Sequence, residues 1–293
     1  MELPVHHNLT ISIATKDRSD VVDATLRKLH AFGLSECPLI ICDDGSSPPF
    51  ESRAIELFPQ AQLIRNDMPQ GQAIGRNQIA EACETPYLLQ LDDDSYPVAG
   101  DVEALLAFAE SRDDWLALAI PFEEPARGRL FPVGVSKSEV TEVRAFVGCS
   151  VLIHVENFRR LGGYADWIGR TGEEEELCLR GIEQGLRCLM IDGLRIRHEV
   201  TDVGRDLSAI QRRSIANWTR IWIRSAPIGY CMLRIARLFF GSTLLGLRSR
   251  KLQPILAYWG AVLSFQDWSA RSTVKLKSIQ KFNKLPHVLG FFN

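Results

Sequence analysis

Tyr87-Leu88-Leu89-Gln90-Leu91 runs directly into Asp92-Asp93-Asp94. An apolar run of this length, stopped by polar residues, reads as a buried strand. Three adjacent carboxylates repel one another unless a cation or donor groups compensate them. Hard divalent cations such as Mg²⁺ take oxygen ligands, commonly one or two carboxylates plus substrate phosphates. The segment therefore looks like the floor of a metal–diphosphate site. A solvated acidic turn, with Ser95 and Pro97 as turn residues, accounts equally well for the triplet taken alone.

Upstream, strands and helices alternate. Leu9-Thr10-Ile11-Ser12-Ile13-Ala14 is a β-rich run ending at Thr15-Lys16-Asp17-Arg18, followed by helical spacing from about Asp20 to Phe32 and a stop at Gly33. Pro38 to Cys42 reads as a second strand ending at Asp43-Asp44-Gly45-Ser46. A helix around Glu51–Leu57, a strand at Gln62–Arg65, a helix from about Gln72 to Cys83 and a helix at Val102–Ser111 complete the pattern. Strands alternating with helices predict a parallel sheet flanked by helices on both faces. In such a sheet, ligands bind beyond the carboxyl ends of the strands. The three polar motifs all begin where a strand ends, so they converge on one sheet edge. No Gly-x-Gly-x-x-Gly follows the first strand, and no Gly-x-x-x-x-Gly-Lys-Ser/Thr occurs.

The run from Ile11 to Arg18, then Ile40–Ser46, Gly71-x-x-x-Gly75-Arg76-Asn77 and Leu91–Asp94, resembles the donor-binding half of family 2 glycosyltransferases of the GT-A fold. The resemblance continues through Phe146–Ser150, Leu161–Tyr164 and Gly172–Arg180, and covers roughly residues 9–200. It implies an α/β fold, Rossmann-like, with a mostly parallel sheet flanked by helices and a C-terminal helical region. The catalytic domain would span 1–200, with the donor part at about 9–98 and the acceptor part at about 99–200.

The same resemblance assigns roles. Asp44 would bind the donor's pyrimidine base, with the backbone of Ala14 and Thr15 lining that pocket and Arg18 beside it. Asp93 would lie near the ribose. Asp94, with Asp92, would hold Mg²⁺ or Mn²⁺ on the diphosphate, in the manner of a DXD motif, and His198 would complete the coordination or meet the diphosphate. Gly71 and Arg76 belong to the helix beside the donor. Two positions depart from the family pattern. Ala14-Thr15-Lys16-Asp17 stands for Pro-Thr-Tyr-Asn, and Pro69 stands where Asn is common. Lys16 either adds charge toward a diphosphate or points to water.

Glu173-Glu174-Glu175-Glu176 opens an apolar helical pattern. Acids at a helix N-terminus complement its dipole, so capping explains the run in isolation. In the family an Asp near this point is the catalytic base, and here Glu174 occupies its position, one methylene longer. Glu173 is the second choice. Glu175 and Glu176 read as structural. Gly162-Gly163-Tyr164 reads as a loop of little bulk that a sugar could approach, and Trp167 either stacks on an acceptor ring or packs.

The chain has 293 residues and a net charge of -2, which argues against general nucleic-acid binding. Residues 201–293 nevertheless hold 15 Lys/Arg against 3 Asp/Glu. Arginines from Arg205 to Arg237 interleave with Trp218, Trp222 and Tyr230, and apolar runs follow at Leu238–Leu247 and Leu252–Phe265. Both runs are too short to span a bilayer. The pattern fits interfacial helices on an anionic membrane or a helical layer packed on the catalytic domain with its arginines in water. Seven cysteines without a Cys-x-x-Cys pair suggest a reducing compartment, with Cys42, Cys149 and Cys188 as small core residues. Residues 1–8 carry no basic-then-apolar signal. The expected function is inverting transfer from a UDP- or dTDP-sugar to a glycan or lipid-linked acceptor in cell-surface polysaccharide synthesis. The expected setting is cytoplasmic or peripheral on the inner membrane face. The alternatives are a nucleotidyltransferase, which would show a Gly-rich basic loop after the first strand, and a non-catalytic sugar-nucleotide-binding scaffold.

Overall fold

The computed structural model describes residues 7–131, 140–200 and 207–288. Arg205 lies outside them. The chain begins with β1 (Leu9–Thr15), α1 (Ser19–Ala31), β2 (Leu39–Asp43), β3 (Ala61–Arg65), α2 (Gln72–Ala82) and β4 (Tyr87–Asp92). The segment expected as a helix near residue 51 is a 3₁₀ turn, Arg53–Leu57. β1 pairs in parallel with both β2 and β4, and β2 with β3. Threonines and isoleucines suit a central strand buried on both faces, and Ile11 and Ile13 are fully buried. Parallel pairing sets Ala14 beside both Cys42 and Asp92, so the ends of β1, β2 and β4 open on one edge.

The second half returns against this direction. β5 (Ser95–Gly100), α3 (Val102–Glu110), β6 (Trp115–Ala119), β7 (Phe122–Glu124), β8 (Arg129–Phe131) and β9 (Thr141–Val143) lead to β10 (Ser150–His154). β10 inserts antiparallel between β4 and β6. After α4 (Val155–Arg160) and α5 (Glu173–Glu183), β11 (Arg187–Met190) joins β6, and β12 (Leu194–His198) pairs with β5 and β7. The result is an eight-stranded sheet, β3-β2-β1-β4-β10-β6-β11-β9, and a four-stranded sheet, β5-β12-β7-β8. The smaller sheet brings His198, at the end of β12, opposite Ser95 and next to the acidic turn.

Five helices follow: α6 (Leu207–Ser225), α7 (Ile228–Ser249), α8 (Gln253–Val262), α9 (Phe265–Ser269) and α10 (Leu276–Lys284). They share an apolar core with α5, in which Leu179 and Ile182 join Trp222, Ile223, Ile235 and Phe282. Glu183 of α5 fastens α10 by accepting from the Lys275 N–H (2.9 Å) and the Ser278 hydroxyl (2.6 Å). The expectation that no segment could span a bilayer needs correction. α7 continues unbroken through Arg234 and Arg237 for 22 residues, and by length and composition it could cross a membrane. Its Cys231, Ile235, Ser242 and Gly246 are buried against the other helices.

Candidate active site

The end of β2 shows how adjacent carboxylates divide their work. Asp43 is fully buried and accepts the N–H groups of Ser46 and Phe50, both at 3.0 Å, and it also pairs with Arg65. That turn presents Asp44 to a cavity of about 540 Å³ at the sheet edge. Asp44 Oδ1 accepts from the Gln70 N–H (2.8 Å) and the Asn66 amide (3.1 Å), and Oδ2 from the Gly71 N–H (2.8 Å). Asp44 thus anchors the loop before α2 and still lines the cavity.

The acidic turn after β4 forms the cavity floor. The Thr25 hydroxyl donates to the Asp93 carbonyl (2.7 Å), tying the turn to α1. The Asp93 carboxylate takes the Thr15 hydroxyl (2.8 Å) and the Arg18 guanidinium (2.7 Å). Burial pushes its carboxyl up to about 6, against the pull of Arg18. Arg18 also reaches Asp94 Oδ2 at 2.9 Å. Asp94 Oδ1 lies 3.2 Å from His198 Nε2, and Asp92 Oδ2 lies 3.8 Å from the same nitrogen. Burial alone would raise the Asp94 carboxyl, but His198 and Arg18 outweigh it and hold it below its ordinary value. Burial would likewise lower His198. Asp94, Cys149 and Glu124 reverse that and push it up to about 12, so the ring holds a proton in this carboxylate field.

Ala14, Thr15, Arg18, Asp44, Gly71, Asp92, Asp93, Asp94 and His198 all line this cavity, as does Lys16. Arg76 does not. Its guanidinium is buried, 2.7 Å from Asp92 Oδ1 and 3.9 Å from both Glu173 and Glu174. A side chain at position 148 would sit 2.5 Å from Arg76 Nη1, so only glycine leaves room for the guanidinium there. Its expected place beside the donor is therefore corrected. Arg76 ties the acidic turn to the head of α5 instead.

Glu174 accepts from the Gly148 N–H at 3.2 Å and lines a second cavity of about 820 Å³ between α5 and the C-terminal helices. Burial and the charges of Glu173 and Glu175 raise its carboxyl well above the ordinary range. Glu173 is almost wholly buried, with Oε2 lacking a hydrogen-bond partner among the described residues, and lines neither cavity. Glu176 pairs with Arg180 at 2.7 Å, whose guanidinium also donates to the Gly163 carbonyl at the same distance. Glu175 lines the second cavity with Glu174, a placement that capping alone does not describe.

The Gly162-Gly163-Tyr164 loop is a packing device rather than an open approach. A Cβ on Gly163 would lie 2.5 Å from Asn77 Oδ1, and Tyr164 is buried with its hydroxyl on Gln90 (3.0 Å). Trp167 lines the first cavity under the guanidinium groups of Arg220 and Arg224. Residues 167–170 line the first cavity, whereas Thr171 and Gly172 line the second, so one segment walls both. Asn217 of α6 clips that wall. Its amide donates to the carbonyls of Ile168 (3.1 Å), Arg170 (2.9 Å) and Thr171 (3.0 Å).

Several site residues were not found by sequence reasoning. Glu124 stands 3.3 Å from His198 Nδ1. Cys149, read as a core residue, offers its sulfur within 4.8 Å of ligand atoms of Asp92 and His198. Arg213, Asn217 and Arg220 of α6 line the first cavity, where the sequence reading gave α6 only a membrane or packing role. None carries a local signal, since each reaches the site from a distant segment.

Residues 10–145 match the model for glycosyl transferase family 2. A pre-mycofactocin glycosyltransferase of Mycobacterium tuberculosis is 26% identical over 200 residues, 63% of this chain and 41% of that protein. The chain thus spans about two-fifths of the length of the curated relatives it matches. Among solved structures, GalNAc-T7 with UDP, GalNAc and Mn²⁺ superposes with a TM-score of 0.58 at 16% identity, over 73% of this chain and 47% of that one. The mannosyltransferase PcManGT from Pyrobaculum calidifontis with GDP-Man and Mn²⁺ gives 0.57 at 15% identity, over 94% and 78%. TarS 1–349 of S. aureus with UDP-GlcNAc gives 0.56 at 14% identity, over 90% and 83%. The chain therefore matches glycosyl transferase family 2 in sequence over residues 10–145 and resembles the GT-A nucleotide-sugar glycosyltransferases in fold.

Proposed function

We propose that this protein transfers a sugar, with inversion, from a nucleoside-diphosphate sugar to an acceptor hydroxyl. The observation that carries the reading is the convergence of Asp44, the acidic turn and His198 on one cavity whose other walls carry Lys16, Arg18, Arg170, Arg213 and Arg220. Carboxylates for a cation and base lie beside guanidinium groups for a diphosphate, as a charged nucleotide requires.

The residues present fit a hard divalent cation. Asp94 Oδ1 and Asp92 Oδ2 lie 3.2 and 3.8 Å from His198 Nε2, so two carboxylate oxygens and a ring nitrogen converge on one point. Asp92 and Asp94 would hold the ion, and His198 would join them once the cation takes the place of its ring proton. The Cys149 thiol is a poor candidate, because burial raises it and keeps it protonated. A bound Mg²⁺ or Mn²⁺ would neutralise charge on the departing nucleoside diphosphate. The chain's own contribution is positional. Arg18 fixes Asp93 and Asp94, and the Gly148 N–H orients Glu174. Glu174 accepts the proton of the acceptor hydroxyl as its oxygen bonds to the anomeric carbon, while the diphosphate leaves with its electron pair. A single base without an opposing nucleophile supports inversion.

A thermal-shift panel tests the donor side. UDP, dTDP and GDP with Mn²⁺ are compared, and at least one is expected to raise the melting temperature, since ligands of the native state stabilise it. No shift with any nucleotide would defeat the reading. Asp44→Ala is expected to weaken nucleoside diphosphate binding by ~1–3 kcal/mol, the cost of an unpaired buried group. Unchanged affinity by calorimetry would move the base pocket elsewhere.

We also propose peripheral contact with the inner membrane face. α7 and α8 expose Phe240, Leu247, Leu256 and Leu263, each more than 60% accessible, and Arg248, Arg250 and Lys251 sit at the turn joining them. No acidic residue occurs between 207 and 266. Such a surface suits anionic lipid. Co-sedimentation with phosphatidylglycerol vesicles is expected at low salt, with release at high salt. Absence of binding at low salt would leave these helices as a packing layer only.

A further inference from the structure

The second cavity contains more than a catalytic base. Its walls carry Trp218, Trp222, Tyr230 and Phe282, together with Arg144, Arg234 and Arg237. Trp218 and Trp222 stack with centroids 5.7 Å apart, and the Arg234 guanidinium lies 4.5 Å over the Trp222 ring. Trp222 is 1% exposed, yet its indole N–H has no hydrogen-bond partner among the described residues. The buried Nε of Arg234 has none either. No ion pair engages Arg234 or Arg237 among the described residues. Buried donors such as the Trp222 N–H and the Arg234 Nε are costly unless an acceptor joins them. Burial lowers the Arg144 guanidinium; Glu175 opposes that and Arg234 adds to it, so acidic and basic groups share this cavity.

We infer that this cavity binds the acceptor, and that the acceptor is an amphiphile carrying a carboxylate or phosphate on a flat or apolar body. The anion would satisfy the Trp222 N–H and the arginines, and the body would lie on the aromatic wall. This brings an acceptor hydroxyl to the Glu174 carboxylate in the same cavity. The inference rests on the reading of Glu174 as the base, but its recognition chemistry is independent of the donor site.

The test uses the full chain, with tryptophan fluorescence and calorimetry as readouts. Phenyl phosphate stands for a free aromatic anion, decyl phosphate below its micelle concentration for a lipid-like one, and benzyl alcohol for a neutral control. At least one phosphate is expected to bind ~10-fold or more tightly than benzyl alcohol. The preferred body distinguishes a soluble acceptor from a lipid-linked one. Saturating UDP with Mn²⁺ should not weaken that affinity, and either Arg234→Gln or Arg237→Gln should lower it about tenfold. The inference is overturned if neither phosphate outbinds benzyl alcohol, if UDP displaces it, or if both variants keep wild-type affinity. UDP binding is measured separately. A chain that binds the phosphate in this way but not UDP keeps this inference and loses the donor reading, and the reverse pattern does the opposite.

Discussion

Glu174→Gln is expected to lower the transfer rate ~10²–10⁴-fold at saturating donor while leaving nucleotide and metal binding intact. The amide preserves size and can still accept from the Gly148 N–H, so geometry is kept and only the proton acceptor is lost. The sign of the pH dependence follows from burial. A carboxyl raised above its ordinary value is neutral at low pH and gains its base form as pH climbs through the raised value. The wild-type rate should therefore rise with pH above the ordinary carboxylate range, and the variant should lose that limb. Glu173→Gln should do less, because Glu173 lines neither cavity. Steady-state rates for both variants across pH decide the matter. An active Glu174→Gln and a dead Glu173→Gln would move the base by one residue.

Asp94→Ala is expected to abolish transfer and to remove the dependence of UDP affinity on Mn²⁺. The fold should survive. Arg18 keeps Asp93 at 2.7 Å, and His198 keeps Glu124 at 3.3 Å, so neither cation is stranded. Calorimetry of UDP with and without Mn²⁺ separates lost metal from lost structure, with circular dichroism as the control. Full activity in the variant, or in wild type with excess chelator, would end the metal mechanism.

The convergence of the acidic and basic motifs on one cavity was legible in the sequence because its signals are local. Buried runs ending in Thr15–Arg18, Asp43–Ser46 and Asp92–Asp94 need only parallel pairing to converge, and β1, β2 and β4 supply it. The rest depends on long-range pairing. β10 enters between β4 and β6 from residues some sixty positions away, and β7 is three residues long, too short for periodicity to reveal. Glu124 and Cys149 reach His198 only through those strands. The arginines of α6 were visible as a basic helix, but sequence could not say that Arg213 and Arg220 line the cavity floored by the acidic turn. The two-cavity arrangement, with Arg76 buried between Asp92 and Glu174, arises from tertiary packing alone.

The wall held by Asn217 has a consequence for the order of binding. Thr171, a non-glycine residue, takes φ 78° within it, a left-handed backbone that surrounding contacts must maintain. Residues 167–170 on one side border the first cavity, and Gly172 on the other borders the second, which holds Glu174. A ligand that shifts this segment in one cavity resets the shape of the other. Thermodynamic reciprocity then requires that whatever factor the nucleotide applies to acceptor affinity, the acceptor returns to the nucleotide. In such a transferase that coupling would run through six residues of backbone, in addition to the contact the two substrates make at the reacting atoms.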